Sequence, residues 1–219
     1  MAQALQNDWL GRVAYGEALR RQQELLEARR AGACGDRLLL LEHPPVVTLG
    51  RGARPEHLLT SRAALSARGV EVHEIARGGD VTWHGPGQLV GYTIVDLAAR
   101  GLADAHAFLR TLEDTLIAAL GALAVAAEAL AGTTGVFAAG SQPPRKLASI
   151  GLGLRGWVTW HGFALNVTTD PAAFGDIVPC GLHHVAMSSV ARELGGAPEP
   201  ALFERARGAV ASAFAERLG

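Results

Sequence analysis

Lys146-Leu147-Ala148-Ser149-Ile150-Gly151-Leu152-Gly153-Leu154-Arg155-Gly156-Trp157-Val158-Thr159-Trp160-His161-Gly162-Phe163-Ala164-Leu165-Asn166-Val167 can be read in two ways, and the fold turns on which one holds. Gly151-x-Gly153-x-x-Gly156 spells a dinucleotide-binding fingerprint. That motif needs a helix opening at the glycines, so that a pyrophosphate rests on the helix N-terminus. The glycines lead instead into Trp157-Val158-Thr159-Trp160, which is strand-like, with no acidic residue at the later position the motif requires. Two paired strands, Lys146 to Leu154 and Val158 to Val167, with glycines between them, account for the stretch better.

Working outward, Val13 to Arg30 reads as an amphipathic helix with Gly32 just beyond its end, and Leu38 to Leu41 and Val46 to Leu49 read as strands split by Pro44-Pro45. Ser61 to Arg68 reads as a short helix closed by Gly69, followed by a strand at Val70 to Ile75. A further strand is expected at Leu89 to Val95 and a helix at Ala103 to Leu120, with Gly121 marking its end. Gly135 to Ala138 adds a strand, and Ala201 to Arg217 a closing amphipathic helix. No repeat or linker interrupts the 219 residues. The expectation is one α+β domain, residues 1–219, with a mostly central β-sheet flanked by helices.

Composition narrows the function. With 49% hydrophobic residues the chain can fill a core, and a net charge of -1 gives no electrostatic case for binding nucleic acid. The start of the sequence shows no signal-peptide pattern, and the most apolar run, Leu116 to Ala127, is too short to cross a bilayer. The expectation is a soluble, cytoplasmic protein with no membrane contact, whose cysteines, Cys34 and Cys180, are reduced thiols. Of the 20 basic residues a single one, Lys146, is lysine. Arginine holds its proton at any working pH, whereas lysine can act as an acid or a base.

The run Arg77-Gly78-Gly79-Asp80-Val81-Thr82-Trp83-His84-Gly85-Pro86-Gly87-Gln88 is too rich in glycine and hydrogen-bonding side chains for a simple turn. Glycine lets backbone approach a ligand closely, so the run reads as a glycine-rich binding loop, with an elaborate hairpin connection as the plainer alternative. Phe163, Ala164 and Leu165 could line an apolar slot or simply fill the core. Val178-Pro179-Cys180-Gly181-Leu182 places a thiol in a tight loop. If Lys146 lies beside it, the ammonium favours the thiolate. Cys180-x-x-His183 lacks a second ligand pair, and His183 and His184 point apart, so no zinc site or other metal is expected.

Arg77 to Gln88, Lys146-Leu147-Ala148-Ser149-Ile150-Gly151, His161 to Val167 and Pro179-Cys180-Gly181 together resemble the octanoyltransferases of lipoate biosynthesis. Leu41-Glu42-His43-Pro44 with Thr48-Leu49-Gly50 also resembles that family's early strand pair, and the similarity runs in order from about Leu38 to Ser189. The resemblance implies a fold related to the biotin and lipoate protein ligase catalytic domain. It implies transfer of octanoyl from octanoyl-acyl carrier protein to a lysine of the lipoyl domains of 2-oxoacid dehydrogenases and of the glycine cleavage H protein, with no cofactor. It maps a catalytic dyad onto Lys146 and Cys180. It maps an acyl site onto Arg77, Gly78, Gly79, Asp80, Val81, Thr82, Trp83 and His84, with Ser149, Ile150, Gly151, Gly162, Phe163 and Ala164. Phe137, Leu147 and Leu182 are apolar exchanges against the family pattern that bear at most on chain-length preference. An ATP-dependent lipoate or biotin ligase of the same fold is the nearest alternative, and a non-catalytic carrier-binding module the next.

Overall fold

The computed structural model describes residues 5–182, 184–196 and 201–219. Its centre is the hairpin on which the fold turns. Strand β9 (Arg145–Arg155) runs antiparallel to β10 (Val158–Asn166), with Val158 opposite Arg155 and Leu165 opposite Ala148. Gly156 and Trp157 make the two-residue turn with φ +57° and +62°. Two left-handed residues match the twist of the strands they join, which glycine meets without strain. Gly153 serves its cross-strand partner Trp160: a Cβ there would fall 2.1 Å from the indole Nε1. The glycine triplet is therefore hairpin chemistry, and no helix opens on it.

Around this hairpin an eight-stranded sheet forms in the order β1 (Gln6–Arg12), β2 (Arg37–Glu42), β6 (Gln88–Ile94), β10, β9, β8 (Val136–Ala138) and β7 (Ala127–Glu128), with β11 (Ala186–Met187) beside β9. Leu38 to Leu41 are all buried because both faces of β2 are covered, and successive side chains point opposite ways. Leu38 and Leu40 join the core under α3 (Ala105–Ala122) and α5 (Leu202–Leu218), whose Phe108, Leu112, Leu116, Val210 and Phe214 fill it. Leu39 and Leu41 pack with Ala18 and Leu26 of α1 (Tyr15–Arg30) on the other face.

A second, three-stranded sheet orders β4 (Glu71–Glu74), β3 (Val46–Leu49) and β5 (Val81–His84). The helix α2 (Arg62–Ala67) packs beside it, capped by the Ser61 hydroxyl accepting from the Ala64 N–H. Its core is Val47, Leu65, Val81, Trp83, Phe174, Ile177 and Met187. The mixed sheet flanked by helices is as expected, but three corrections stand. Among the described residues there are two sheets; α3 runs through Gly121 to Ala122; and the middle of the glycine-rich run is strand β5. Strand β1 and the short helix α4 (Val190–Glu193) are not among the elements expected from sequence. Among the described residues no helix is long and apolar enough to cross a membrane.

Candidate active site

The two sheets meet around a cavity of ≈ 250 Å³. Strand β9 supplies Lys146, Ser149, Ile150 and Gly151 to its wall; β10 supplies His161, Gly162, Phe163 and Ala164; the glycine-rich run supplies Arg77, Gly79, Asp80, Thr82 and His84. Cys180 completes it from a tight turn, Pro179–Gly181, in which the cysteine itself sits at φ +56°. A non-glycine residue held in that left-handed region marks a backbone fixed by its surroundings. Those surroundings are specific. The Val178 N–H donates to the His57 carbonyl at 2.8 Å, Leu58 bridges Ile177, and the Gly181 N–H donates to the Val178 carbonyl at 3.0 Å. His57 Nδ1 and Asp80 Oδ2 lie 2.5 Å apart, against the space where a Gly181 Cβ would stand.

Lys146 is 2% exposed. Its Nζ donates to the Thr134 carbonyl at 2.9 Å, approaches Cys180 Sγ at 3.6 Å and lies 5.3 Å from the centre of the Phe137 ring. Ser149 Oγ is 3.8 Å from the same sulfur. A single ammonium thus faces a thiol, a carbonyl and an aromatic face at once. Gly135 makes room for it: a Cβ there would fall 2.6 Å from Lys146 Cε.

Arg77 brings a second buried cation to the cavity. Its Nη2 donates to the Thr48 carbonyl at 3.0 Å and the Thr48 hydroxyl at 2.9 Å, and its Nη1 to the Gly78 carbonyl at 3.0 Å. Burial draws its pKa below the ordinary arginine value, opposed by the Cys180 sulfur. Behind it Tyr15, His43, His84, Tyr92 and His161 pack ring against ring. Burial pulls His84 and His161 down to about 3 and His43 to about 4, so all three are neutral at physiological pH. Tyr15 and Tyr92 are pushed up by the same desolvation and keep their protons.

Of the residues singled out from sequence, Val81 and Trp83 do not reach the cavity. Alternation along β5 turns Thr82 and His84 inward and sends those two into the core of the small sheet. Gly78 does not line the cavity either; its N–H donates to the Leu152 carbonyl at 2.8 Å. The N–H groups of Gly78, Gly181 and Leu182 are all engaged by protein carbonyls and are not oxyanion donors in this state. His183 lies outside the described residues. Cys34 does not line the cavity, and its sulfur lies 3.9 Å from the Leu25 carbonyl. Phe137 and Leu182, noted as exchanges against the family pattern, lie at the site, whereas Leu147 is buried in the main core.

Tyr15, Ile75, Val90, Tyr92, Thr133 and Thr134 line the cavity without having been singled out. Only the threonines carried a local signal, the flanking glycines of Gly132-Thr133-Thr134-Gly135.

Comparison with known proteins identifies the family. The family described as lipoyl protein ligase A/B catalytic domain matches residues 14–215. An octanoyltransferase of Acidobacterium capsulatum is 47% identical over 201 residues, covering 88% of this chain and 81% of that protein. One of Geobacter sulfurreducens is 47% identical over 210 residues, covering 94% and 81%. Among solved structures, a bi-partite lipoate protein ligase from an archaeal lipoylation system of Thermoplasma acidophilum superposes with a TM-score of 0.71. It is 16% identical, covering 100% of this chain and 84% of that one, a likeness of fold alone.

Proposed function

Since the chain belongs to the lipoyl protein ligase A/B catalytic domain family and transfers octanoyl in protein lipoylation, we propose that it works by double displacement through an octanoyl thioester on Cys180. The observation that carries this reading is the approach of Lys146 Nζ to within 3.6 Å of Cys180 Sγ at the cavity wall, in a chain with no other lysine. The Cys180 thiolate attacks the carbonyl carbon of an octanoyl thioester on acyl carrier protein. The carrier thiol leaves with the proton that Lys146 gives up, and one thioester replaces another at nearly level energy.

An uncharged lysine amine of a lipoyl domain then attacks the acyl-enzyme. Its proton passes to the Lys146 amine, the amide forms, and the Cys180 thiolate is released. Thioester to amide is downhill, so ATP has no role. Arginine in place of Lys146 could hold the thiolate but could not release a proton. The buried Arg77 guanidinium adds positive potential at the sulfur. Its neighbours His84 and His161 are neutral, so they add no competing charge.

The paired glycines Gly151 and Gly162 leave the slot for the acyl chain between Ile150 and Phe163 on one side and the glycine-rich run on the other. A Cβ on Gly151 would fall 2.9 Å from the Gly78 carbonyl, and one on Gly162 2.3 Å from that of Gly91, so neither position admits a side chain. The acceptors are lipoyl domains of 2-oxoacid dehydrogenases and of the glycine cleavage H protein; the E2 lipoyl domain of the archaeal system supports lipoyl domains as the acceptor class. We assign the reaction to the cytoplasm.

Incubation with octanoyl-acyl carrier protein in the absence of ATP, followed by intact mass measurement, tests this. The wild type and Cys34→Ala should gain one octanoyl group and Cys180→Ala none. An adduct on Cys180→Ala, or transfer within twofold of wild type, would sink the covalent route. Dependence on ATP and free octanoate would favour the ligase reading that the shared fold raises.

A further inference from the structure

Glu113 is fully buried on α3, yet its carboxylate is accounted for at both oxygens. Oε2 pairs with Arg110, which is half exposed, and Oε1 accepts the Gly135 N–H at 2.8 Å. A buried carboxylate is costly unless paired and hydrogen-bonded, so its place in the fold calls for a function or a strong structural role.

The Gly135 N–H and the Thr134 C=O are the two ends of one peptide group. The first points at Glu113, and the second accepts the Lys146 ammonium at 2.9 Å. Anion, peptide and cation therefore stand in series, with the peptide dipole aligned favourably to both charges. Gly135 holds this peptide at φ +130°, and a Cβ would collide with Lys146 Cε and the Ala148 carbonyl, both at 2.6 Å. The charged and titratable groups facing this series are Arg110 beside Glu113, Cys180 beside Lys146, and Arg77 across the cavity.

We propose that Glu113 is a positioning residue for Lys146: through the Thr134–Gly135 peptide it fixes the carbonyl on which the ammonium rests and, by polarising that peptide, strengthens it as an acceptor. The inference rests on the reading of Lys146 as the proton carrier. It gives the buried carboxylate a task that anchoring a loop alone would not need, because a neutral glutamine would anchor it equally well.

The sole lysine makes the test clean. Protein labelled with 15N-lysine has one side-chain Nζ resonance, from Lys146. Glu113→Gln keeps an oxygen for the Gly135 N–H but removes the charge. It should move that resonance and lower kcat for octanoyl transfer about tenfold, the scale of a hydrogen bond to a charged group, with KM for the carrier substrate within twofold. Arg110→Lys, read by kcat alone, keeps a cation beside the carboxylate and leaves its bond to Gly135 in place, and should keep kcat within twofold. An unmoved Nζ resonance in Glu113→Gln would overturn the proposal. So would a loss of kcat of about tenfold or more in Arg110→Lys, since the ion pair would then merely hold the helix; this arm stands even if Glu113→Gln fails to fold. The resonance needs no turnover. A wild type that forms no acyl adduct would strike the catalytic reading and leave the coupling of Glu113 to Lys146 to be judged on its own.

Discussion

Lowering the pH from 7 to 5 is expected to remove most of the stability of this fold, and the size of the effect is set by three histidines. His84 and His161 are buried at the cavity wall and His43 is buried against the His84 ring, and burial draws them down to about 3, about 3 and about 4. In the unfolded chain each titrates at about 6.5. Above pH 6.5 both states hold them neutral and nothing is lost. Below it the unfolded chain binds protons that the fold excludes, so stability falls with pH, and the fall stops only where the folded histidines themselves titrate, at pH 4 to 3. Between pH 7 and 5 each histidine costs about 2 kcal/mol, and the three together about 6 kcal/mol. Near pH 5.5 the difference approaches three protons, a slope of about 4 kcal/mol per pH unit. Asp176, held low by hydrogen bonds from Arg68 and Thr60, and Glu193, held low by Arg145, add losses in the same direction only further into acid. The window from 6.5 to 5 therefore belongs to the histidines.

Urea denaturation followed by the fluorescence of the four tryptophans, at half-unit steps of pH, measures that slope directly. His161→Asn should reduce it by about a third. Asparagine suits the site because His161 occupies φ +58°, a conformation asparagine tolerates. A stability constant to within about 1 kcal/mol from pH 7 to 5 would refute the reasoning, since a loss of the predicted size is comparable with the whole stability of a typical domain.

Lys146→Arg should lower octanoyl transfer by about 10²-fold or more, the scale of a general acid–base contribution. Alkylation of Cys180 by iodoacetamide at neutral pH should fall less, and a mutant transferring at the wild-type rate would leave Lys146 as a fixed charge only. Gly181→Ala places a Cβ 2.8 Å from Asp80 Oδ2 and 2.9 Å from His57 Cε1 at φ +67°, so transfer should drop while the melting temperature moves little. Equal transfer in that variant would show the cysteine turn to be loosely held. Gly91→Ala meets the Phe163 ring at 2.1 Å in the centre of the large sheet, and should cost about 1–3 kcal/mol of overpacking, read as a lower urea midpoint.

The parts of this molecule legible in sequence are those whose signal is local. The β9–β10 hairpin declares itself by β-branched and aromatic residues around glycines, α3 by its apolar period, and Cys180 by the proline and glycine that frame it. The glycine-rich run concealed β5 because Gly78, Gly79, Gly85 and Gly87 bracket only four strand residues. Once the strand is there, period two divides the run, which is why Val81 and Trp83 turn away from the cavity. Strand β1 hides because it is an edge strand, half exposed and interrupted by Gly11. Tyr15, Tyr92 and His161 reach the site from α1, β6 and β10, and nothing at their own positions announces a ring stack assembled from three elements. The separation of 34 positions between Lys146 and Cys180 likewise carries no distance information. The resemblance paired them, and the fold brings them to 3.6 Å.

The single buried lysine has a consequence for chemical fidelity. On the proposed route a thioester destined for lysine amines would be carried by a protein whose single lysine is buried, so no side-chain amine on the outside of the enzyme could intercept the acyl group. The one amine within reach is Lys146 itself, and an amide there would end turnover permanently. Its Nζ is held by the Thr134 carbonyl and hemmed in at Gly135, where not even a methyl group fits. What would keep the enzyme from becoming its own substrate on that route is the same narrow seat from which its lysine would exchange a proton with the sulfur beside it.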